Sequence, residues 1–247
     1  MDSPGYIVLS RLSAQQRASA VTAHNLANAD TPGFRASRPV FAEYVQQQGR
    51  VAGPAAARQV GYSWDRASWR DTAPGPVTRT GNPLDVAIPG EGFFAIETER
   101  GERFTRAGRF ALGAEGRLVD QEGNAVLGRD SRPIAVSPGD TRIEVLGDGT
   151  IRSENGVIGR LRVVRFADEQ ALKAEGNRHF AAEGQEPQEV ERPGLVQGAM
   201  EGSNVQSVVE MTRMMAELRE FQMATQFLER EGERQQSAVD RLLRRRS

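Results

Sequence analysis

The two ends of this 247-residue chain have the pattern of long helices, whereas the residues between them have the pattern of short strands and turns. Near the start, apolar residues recur at steps of three and four, the spacing of one helical face. This row comprises Val8, Leu9, Leu12, Ala20, Ala23, Leu26 and Ala27. The helix is predicted to stop within residues 28–33, because Pro32 cannot donate a backbone hydrogen bond and disfavours helix at Thr31.

A second helix is predicted near the end of the chain, with Ser203 or Asn204 as its N-cap. Its row also steps by three or four residues and comprises Val205, Val208, Met211, Met215, Leu218, Gln222 and Thr225. No proline follows before Ser247. About 40 helical residues at about 1.5 Å each would form a rod of about 60 Å. That length suits a coiled coil; the alternative is a helical hairpin that closes an ordinary globular domain.

Residues 41–83 are predicted to form an extended linker. Hydrophobic periodicity is lost there, and glutamine, glycine, alanine and proline runs replace it. Trp64 and Trp69 lie within this segment. Two large apolar rings in a polar linker usually indicate that the segment lies against some surface.

Residues 84–202 are predicted to form a mainly antiparallel β domain. Short apolar runs recur from Leu84 onwards, separated by Gly-Asn, Asp-Gly and Asn-Gly pairs that favour tight hairpin turns. Short strands at this spacing indicate an antiparallel barrel or sandwich and not a parallel sheet with crossover helices. The strands are predicted to end near Phe166, with one or two helical turns between residues 169 and 202.

The fold class predicted from these patterns is α+β. A discontinuous coiled-coil domain combines residues 1–40 with residues 203–247, and the linker connects it to the β domain. Neither helix can bury its apolar row alone, so each is expected to pack against the other or against a neighbouring copy. The residues predicted to form the subunit interface are Leu9, Leu12, Leu26, Val208, Met211, Met215 and Leu218.

Composition argues against several classes of function. The net charge is −1, so the chain lacks the basic field that nucleic-acid binding requires. There is no cysteine, which excludes disulfides, thiolate metal sites and cysteine nucleophiles. No stretch is apolar enough to span a membrane, and residues 1–4 lack the features of a cleaved signal peptide.

No catalytic or metal-binding motif is apparent. His24 and His179 lie far apart and neither has a second ligand at metal-binding spacing. Residues 90–92 and 147–149 contain paired glycines, but no strand-to-helix passage follows them, so they are predicted to be hairpin turns. No serine lies in a GxSxG motif, the sharp turn that presents the nucleophile in many hydrolases. The sequence therefore predicts no enzyme, no metal and no cofactor.

Four segments of the chain resemble the family of bacterial flagellar rod and hook proteins. Residues 25–35 read Asn-Leu-Ala-Asn-Ala-Asp-Thr-Pro-Gly-Phe-Arg, similar to that family's N-terminal signature. Residues 84–94, 104–110 and 201–205 match further segments in the family order. The matching motif residues are Asn25, Leu26, Ala27, Asn28, Thr31, Pro32, Gly33, Phe34, Ser203, Asn204 and Val205. Asp30 and Gly232 depart from the family pattern.

The resemblance implies a structural subunit of the flagellar basal-body rod. Such proteins leave the cell through the flagellar export apparatus without a cleaved signal peptide. They polymerise with copies of themselves and with other rod proteins into a hollow rod across the periplasm. The length, the start of the chain with Tyr6, and Phe34-Arg35-Ala36 are most similar to members from the proximal rod. Distal-rod members are the alternative within the family, and hook proteins are longer.

Residue chemistry suggests roles for the polar motif residues. Asn25, Asn28 and Thr31 can hydrogen-bond backbone groups where the helix ends, and Gly33 permits a turn that a Cβ would forbid. Two other functions remain open from the residues alone. One is a carbohydrate-binding β domain with helical oligomerisation ends, for which Trp64 and Trp69 are the support. The other is a coiled-coil scaffold outside flagella.

Overall fold

The computed structural model describes residues 4–47, 59–176 and 178–244. The chain divides into two compact units, each assembled from separate stretches of sequence. The first, the terminal unit, comprises Met1–Leu26, Ser37–Trp69 and Gln206–Ser247. The second, the β unit, comprises Ala27–Ala36 and Arg70–Val205. Helices and antiparallel sheets make the fold α+β.

The two long helices predicted from the sequence are present. Helix α1 spans Pro4–Ala27, and helix α2 spans Ser207–Arg244. Helix α1 ends at the predicted stop before Pro32. Helix α2 begins three residues after Asn204 and continues through Gly232. Neither helix, over the residues described, combines the length and apolarity of a membrane span.

The segment predicted as a linker differs from expectation, because much of it forms paired strands. Strand β1 spans Ser37–Gln47, strand β2 spans Gln59–Arg70, and the two form a two-stranded sheet. The residues of these two strands show no regular alternation of apolar and polar side chains along their full length, so the periodicity that identifies strands is absent. The glycine- and alanine-rich run at 49–57 lies outside the described residues. Trp69 is exposed, and the side chain of Trp64 is not described.

The β unit contains short strands in sequence order. They are β3 (Val77–Arg79), β4 (Val86–Ala87), β5 (Phe93–Thr98), β6 (Gly101–Thr105), β7 (Ala111–Leu112), β8 (Leu118–Val119), β9 (Ala125–Val126), β10 (Glu144–Val145), β11 (Thr150–Ser153), β12 (Gly156–Arg160), β13 (Val163–Arg165), β14 (Lys173–Glu175), β15 (His179–Ala181), β16 (Gln188–Glu189), β17 (Val196–Gln197) and β18 (Ala199–Glu201). The stretch expected to hold one or two helical turns has one 3-10 turn, Glu169–Ala171, and β14 to β18.

These strands pair antiparallel, as the hairpin signals predicted. The main sheet runs β14-β15-β6-β5-β9-β8-β7, with β13 and β16 attached beside β5. A second sheet has the order β10-β11-β12, and two-stranded pairs join β17 to β4 and β18 to β3. Gly123, Gly149 and Gly156 have positive φ angles; the first two lie in the turns after β8 and β10, and Gly156 opens β12 directly after the turn that follows β11. The Gly-Asn, Asp-Gly and Asn-Gly predictions are thus confirmed as hairpin turns.

Strand β5 lies at the centre of the core and is buried on both faces. Phe94 and Ile96 belong to one apolar cluster, whereas Phe93 and Ala95 belong to the other. Because side chains alternate along a strand, a strand covered on both sides needs a continuous apolar run. Edge-to-face ring pairs reinforce each cluster, with the Phe94 and Phe110 centroids 5.1 Å apart.

Gly108 permits a close backbone approach that the core requires. A Cβ on this residue would lie 1.7 Å from the carbonyl oxygen of Val86, whose amide donates to the Gly108 oxygen at 2.8 Å. We expect Gly108→Ala to lower the free energy of unfolding by about 2–4 kcal/mol, because backbone must move. Chemical denaturation measures this. Gly139→Ala, with open space around its Cβ, is the control and should be near neutral; equal stabilities would refute the close approach.

Glu154 ties the β11–β12 turn to residues 141 and 142. Its carboxylate accepts hydrogen bonds from Thr141 N at 2.9 Å, Thr141 Oγ1 at 2.8 Å and Arg142 N at 3.0 Å. Donation from the Thr141 backbone, followed by the other donors, lowers the pKa of Glu154 from 4.5 to about 2. The carboxylate therefore stabilises the fold above pH 4.5, and that stabilisation is lost as pH falls through about 2.

A carboxyl-carbon NMR titration tests this assignment. We expect the Glu154 midpoint near pH 2, and Thr141→Val should move it toward 4.5 because one side-chain donor is lost. A midpoint at the ordinary value in the unaltered chain would contradict the hydrogen-bonded turn.

Candidate functional site

The histidine and acidic residues of the described chain do not form a candidate metal site, and His179 forms a pair with Asp120. Within residues 4–47, 59–176 and 178–244, no group of three or more His, Cys, Asp or Glu residues is placed to hold a metal ion. His179 Nε2 lies 2.9 Å from Asp120 Oδ2. Burial raises the pKa of Asp120, but hydrogen bonds from His179 and Asn124 outweigh burial and lower it overall. His24 lies on α1 and forms part of the terminal unit.

In the terminal unit, α1 packs on α2 through polar contacts. Gln15 Nε2 donates to the Glu217 carbonyl at 2.7 Å, and Thr22 Oγ1 donates to Glu217 Oε1 at 3.0 Å. Asn25 Nδ2 lies 3.4 Å from Glu210 Oε2 in a buried contact. Small residues of α1 are buried along the same face, at Ala14 and Ala18. The side of α2 that meets α1 is therefore polar and acidic.

The predicted apolar row of α2 lies on a different side of that helix and is exposed. We call it the outer row: Val208, Met211, Met215 and Leu218, with exposed fractions of 77%, 48%, 57% and 56%. Leu9 of α1 is also exposed, whereas Leu12 and Leu26 are half-buried. Val209, Met223 and Phe227 expose further apolar surface on α2. The α1 contact leaves this row uncovered.

Asn25 fixes the end of α1 to the start of β1, a role consistent with its predicted chemistry. Its side chain is buried, donates to the Ser37 carbonyl at 2.8 Å and accepts from the Ser37 amide at 2.9 Å. Leu26 and Ala27 complete the last turn of α1. One asparagine thus satisfies both backbone groups of the residue that opens the first strand.

The residues after α1 form a compact turn within the β unit. We call residues 27–36 the motif segment. The Thr31 amide donates to the Asn28 carbonyl at 3.1 Å, and Thr31 Oγ1 donates to Asn28 Oδ1 at 3.2 Å. Pro32 and Phe34 are buried. Gly33 has φ +69°, and a Cβ there would lie 2.6 Å from the Arg106 backbone, so this position requires glycine.

Asn204 joins two backbone stretches of the β unit, residues 34–36 and 71–73, to the chain before α2. Its Oδ1 accepts from the Ala36 amide at 2.7 Å, and its Nδ2 donates to the carbonyls of Asp71 and Ala73 at 2.9 Å each. The Asn204 amide also donates to the Phe34 carbonyl at 3.3 Å. Ser203 Oγ accepts from the Val205 amide at 3.2 Å. Ser203 and Asn204 therefore organise the chain before α2 and do not cap the helix itself.

A buried ion cluster lies beside these contacts. Glu201 pairs with Arg106 at 2.6 Å and with Arg35 at 3.2 Å, and each of the three side chains is at most 5% exposed. Arg106 also donates to the carbonyls of Ile88, Gly90 and Gly92. Burial lowers the pKa of Arg35, and Glu201 opposes that effect. The cluster brings together at least one charged or backbone group from each of the four segments that carry the family resemblance.

Arg35, Arg106 and Glu201 lie within those segments, but no role was predicted for them from the sequence. A signal was available, since Arg35 and Arg106 each stand next to apolar or small residues. Charged residues in such surroundings are buried only when they are paired. Their common partner, however, lies 95 positions from Arg106 along the chain, which no local pattern reveals.

Comparisons with known proteins agree with the resemblance along the whole chain. Family models match residues 6–35 (Flagella basal body rod protein), 87–153 (Flagellar hook protein FlgE/F/G D1 domain) and 196–241 (Flagellar basal body rod FlgEFG protein C-terminal). The flagellar basal-body rod protein FlgF of Caulobacter vibrioides is 33% identical, over 98% of this chain and 98% of that protein.

Two further relatives carry the names FlgF and FlgG. FlgF of Escherichia coli is 34% identical over 90% of this chain and 91% of its own length. The flagellar basal-body rod protein FlgG of Agrobacterium fabrum is 32% identical over 88% of this chain and 90% of its own length. The chain therefore belongs to the family of bacterial flagellar basal-body rod proteins, as a structural rod subunit most similar to the members named FlgF.

Proposed function

We propose that this chain is a subunit of the proximal rod and that its terminal helices join it to neighbouring subunits. The observation that carries this proposal is the outer row of α2, which stays exposed while α1 occupies another side of the helix. Proteins that act alone rarely expose contiguous apolar surface of this kind. A coiled-coil contact between copies would cover it.

The assembly that follows from this surface is open-ended. A row on α2 that meets a different surface of the next copy makes a heterologous contact, and repeated contacts of that kind generate a helical polymer when the rotation does not close. Other rod proteins with similar terminal helices could occupy the same surface at either end of the stack. Torque would then pass through many packed side chains shared between subunits.

We further propose that the chain reaches the periplasm through the flagellar export apparatus, without a cleaved signal peptide. The absence of cysteine suits a polypeptide that passes unfolded through a narrow channel. The proposed role is purely structural: it involves no enzymatic activity, cofactor, metal or nucleic acid. Torque transmission depends on the packing of side chains between subunits. The carbohydrate-binding alternative lies outside the family, and the exposed side chain of Trp69 is the one observation in its favour among the described residues.

A distal-rod role is the second candidate, favoured by the 32% identity to the FlgG protein of Agrobacterium fabrum. Electron cryomicroscopy of basal bodies separates the two. A strain that lacks this chain is complemented with a version carrying a small tag in the 48–58 stretch, and the tag is located along the rod. We expect density near the base of the rod. Density confined to the distal rod would favour the second candidate, and a complete rod without this chain would contradict both.

A further inference from the structure

The motif segment is a short stretch that belongs to the β unit although both of its neighbours in sequence belong to the terminal unit. Its internal hydrogen bonds are those of a turn, from Thr31 to Asn28 and from Phe34 to Thr31. Ten residues with so few internal contacts do not hold a fixed structure alone. Its order must therefore come from the contacts that it makes with the rest of the β unit.

Asn204 supplies some of those contacts, through Phe34 and Ala36, and Glu201 supplies the buried charged ones. The Glu201 carbonyl accepts from the Gly33 amide at 3.0 Å. Its Oε1 lies 3.2 Å from Arg35 Nη2 and accepts from the Gly75 amide at 3.1 Å, while Oε2 pairs with Arg106. One buried residue thus joins the motif segment to stretches of chain around residues 75 and 106. Glu201 itself lies in β18, more than 160 positions after Arg35.

The two arginines are not held equally well without Glu201. Arg106 keeps three backbone carbonyls of the 88–92 turn as acceptors. Arg35 keeps the carbonyls of Thr72 and Ala73, and its buried Nε has no hydrogen-bond partner in the described chain. Without the carboxylate, two like charges would face each other at low dielectric, which is costly. Movement of Arg35 and the motif segment away from Arg106 relieves that repulsion. The Arg35 side chain then gives up two hydrogen bonds to backbone carbonyls, whereas movement of Arg106 would give up three.

We propose that Glu201 is a positioning residue that holds the motif segment in the β unit, so that residues 27–36 become ordered only when β18 is in place. The N-terminal part of the motif therefore depends on a residue near the C-terminal end. A chain whose residues 199–204 have not yet joined the sheet keeps its motif segment open. The consequence for assembly rests on the proposed function. An incomplete chain would not present an ordered motif segment to the rod.

Hydrogen exchange on the full-length chain in dilute solution tests the proposal. We expect Glu201→Gln to speed exchange of the amides of residues 33–36 by at least about tenfold, because a charged buried partner is lost. Strands β5 and β6 should lose protection by a clearly smaller factor than residues 33–36, because any general loss of stability affects the whole β unit while the motif segment also loses its own anchor. The matched control is Glu189→Gln, which also removes an arginine partner, Arg162 at 2.6 Å, but at the surface. It should leave residues 33–36 unchanged.

A second variant covers the case in which Glu201→Gln does not fold. Arg35→Gln leaves the pair between Glu201 and Arg106 intact and should also speed exchange of residues 33–36. The double variant should exchange no faster than the faster single variant, since both remove the same link. A purely structural role would give additive effects and a general loss of protection.

Two results would overturn the proposal. One is unchanged exchange of residues 33–36 in both single variants. The other is faster exchange of β5 and β6 to the same extent as the motif segment, since Glu201 would then be an ordinary core residue. Both measurements are made without polymerisation, so they stand even if the chain proves to have no place in the rod. Rod assembly and tag location test the proposed function separately.

Discussion

Met215→Asp is expected to abolish assembly into the rod while leaving the thermal unfolding of the β unit unchanged. Met215 is 57% exposed in the single chain, so an aspartate there remains hydrated and costs the monomer little. In a packed interface between copies the same carboxylate would be buried without a partner. That costs several kcal/mol or forces the interface apart.

The expected phenotype is a non-motile strain that makes and folds the protein normally. Sedimentation or electron microscopy measures assembly, and circular dichroism follows unfolding. Glu229→Lys is the matched control, because this residue is exposed on α2 outside the outer row, and its effect should be within about 0.5 kcal/mol. A normal rod and normal motility with Met215→Asp would refute an assembly role for the outer row.

Arg106→Met is expected to lower the melting temperature of the β unit by about 6–20 °C. Removing one partner of a buried ion pair costs about 3–5 kcal/mol, and each kcal/mol shifts Tm by about 2–4 °C in a chain of this size. Arg106 is almost fully buried and also donates to three backbone carbonyls, so methionine removes the donor of those carbonyls and the partner of Glu201 Oε2. All the interactions that this substitution removes lie within the β unit.

Arg109→Met serves as the comparison, because Arg109 lies three residues further along and is exposed. It should unfold within about 1–2 °C of the unaltered protein, the range of an ordinary surface substitution. Calorimetry on both variants makes the measurement. A similar melting temperature for Arg106→Met and Arg109→Met would mean that the buried cluster contributes little to stability.

The parts of the fold that local patterns control were predictable. The stop of α1 follows from Pro32, and the hairpin turns follow from glycines that adopt positive φ, such as Gly149 and Gly156. The long apolar row of α2 was also read correctly as helical. In each case the cause lies within a few residues of its effect, so a single sequence carries the information.

The parts that depend on distant partners were not predictable. Strands β1 and β2 pair with each other, but their residues show no regular alternation of apolar and polar side chains along their full length, so no local pattern marked them as strands. Ser203 or Asn204 was predicted as the helix cap, but Asn204 binds segments more than 130 positions away and Ser203 accepts from the Val205 amide. The role of the outer row in binding other subunits remains a prediction.

The division of the chain has a consequence for how the protein responds to cleavage. The backbone passes between the two units at four places, between residues 26 and 27, 36 and 37, 69 and 70, and 205 and 206. A single proteolytic cut at any one of them leaves three covalent connections, so it cannot release either unit. Unlike a pair of domains joined by one tether, the two units stay connected after one such cut, and a severed terminal helix is held by its contacts with the other helix of its own unit.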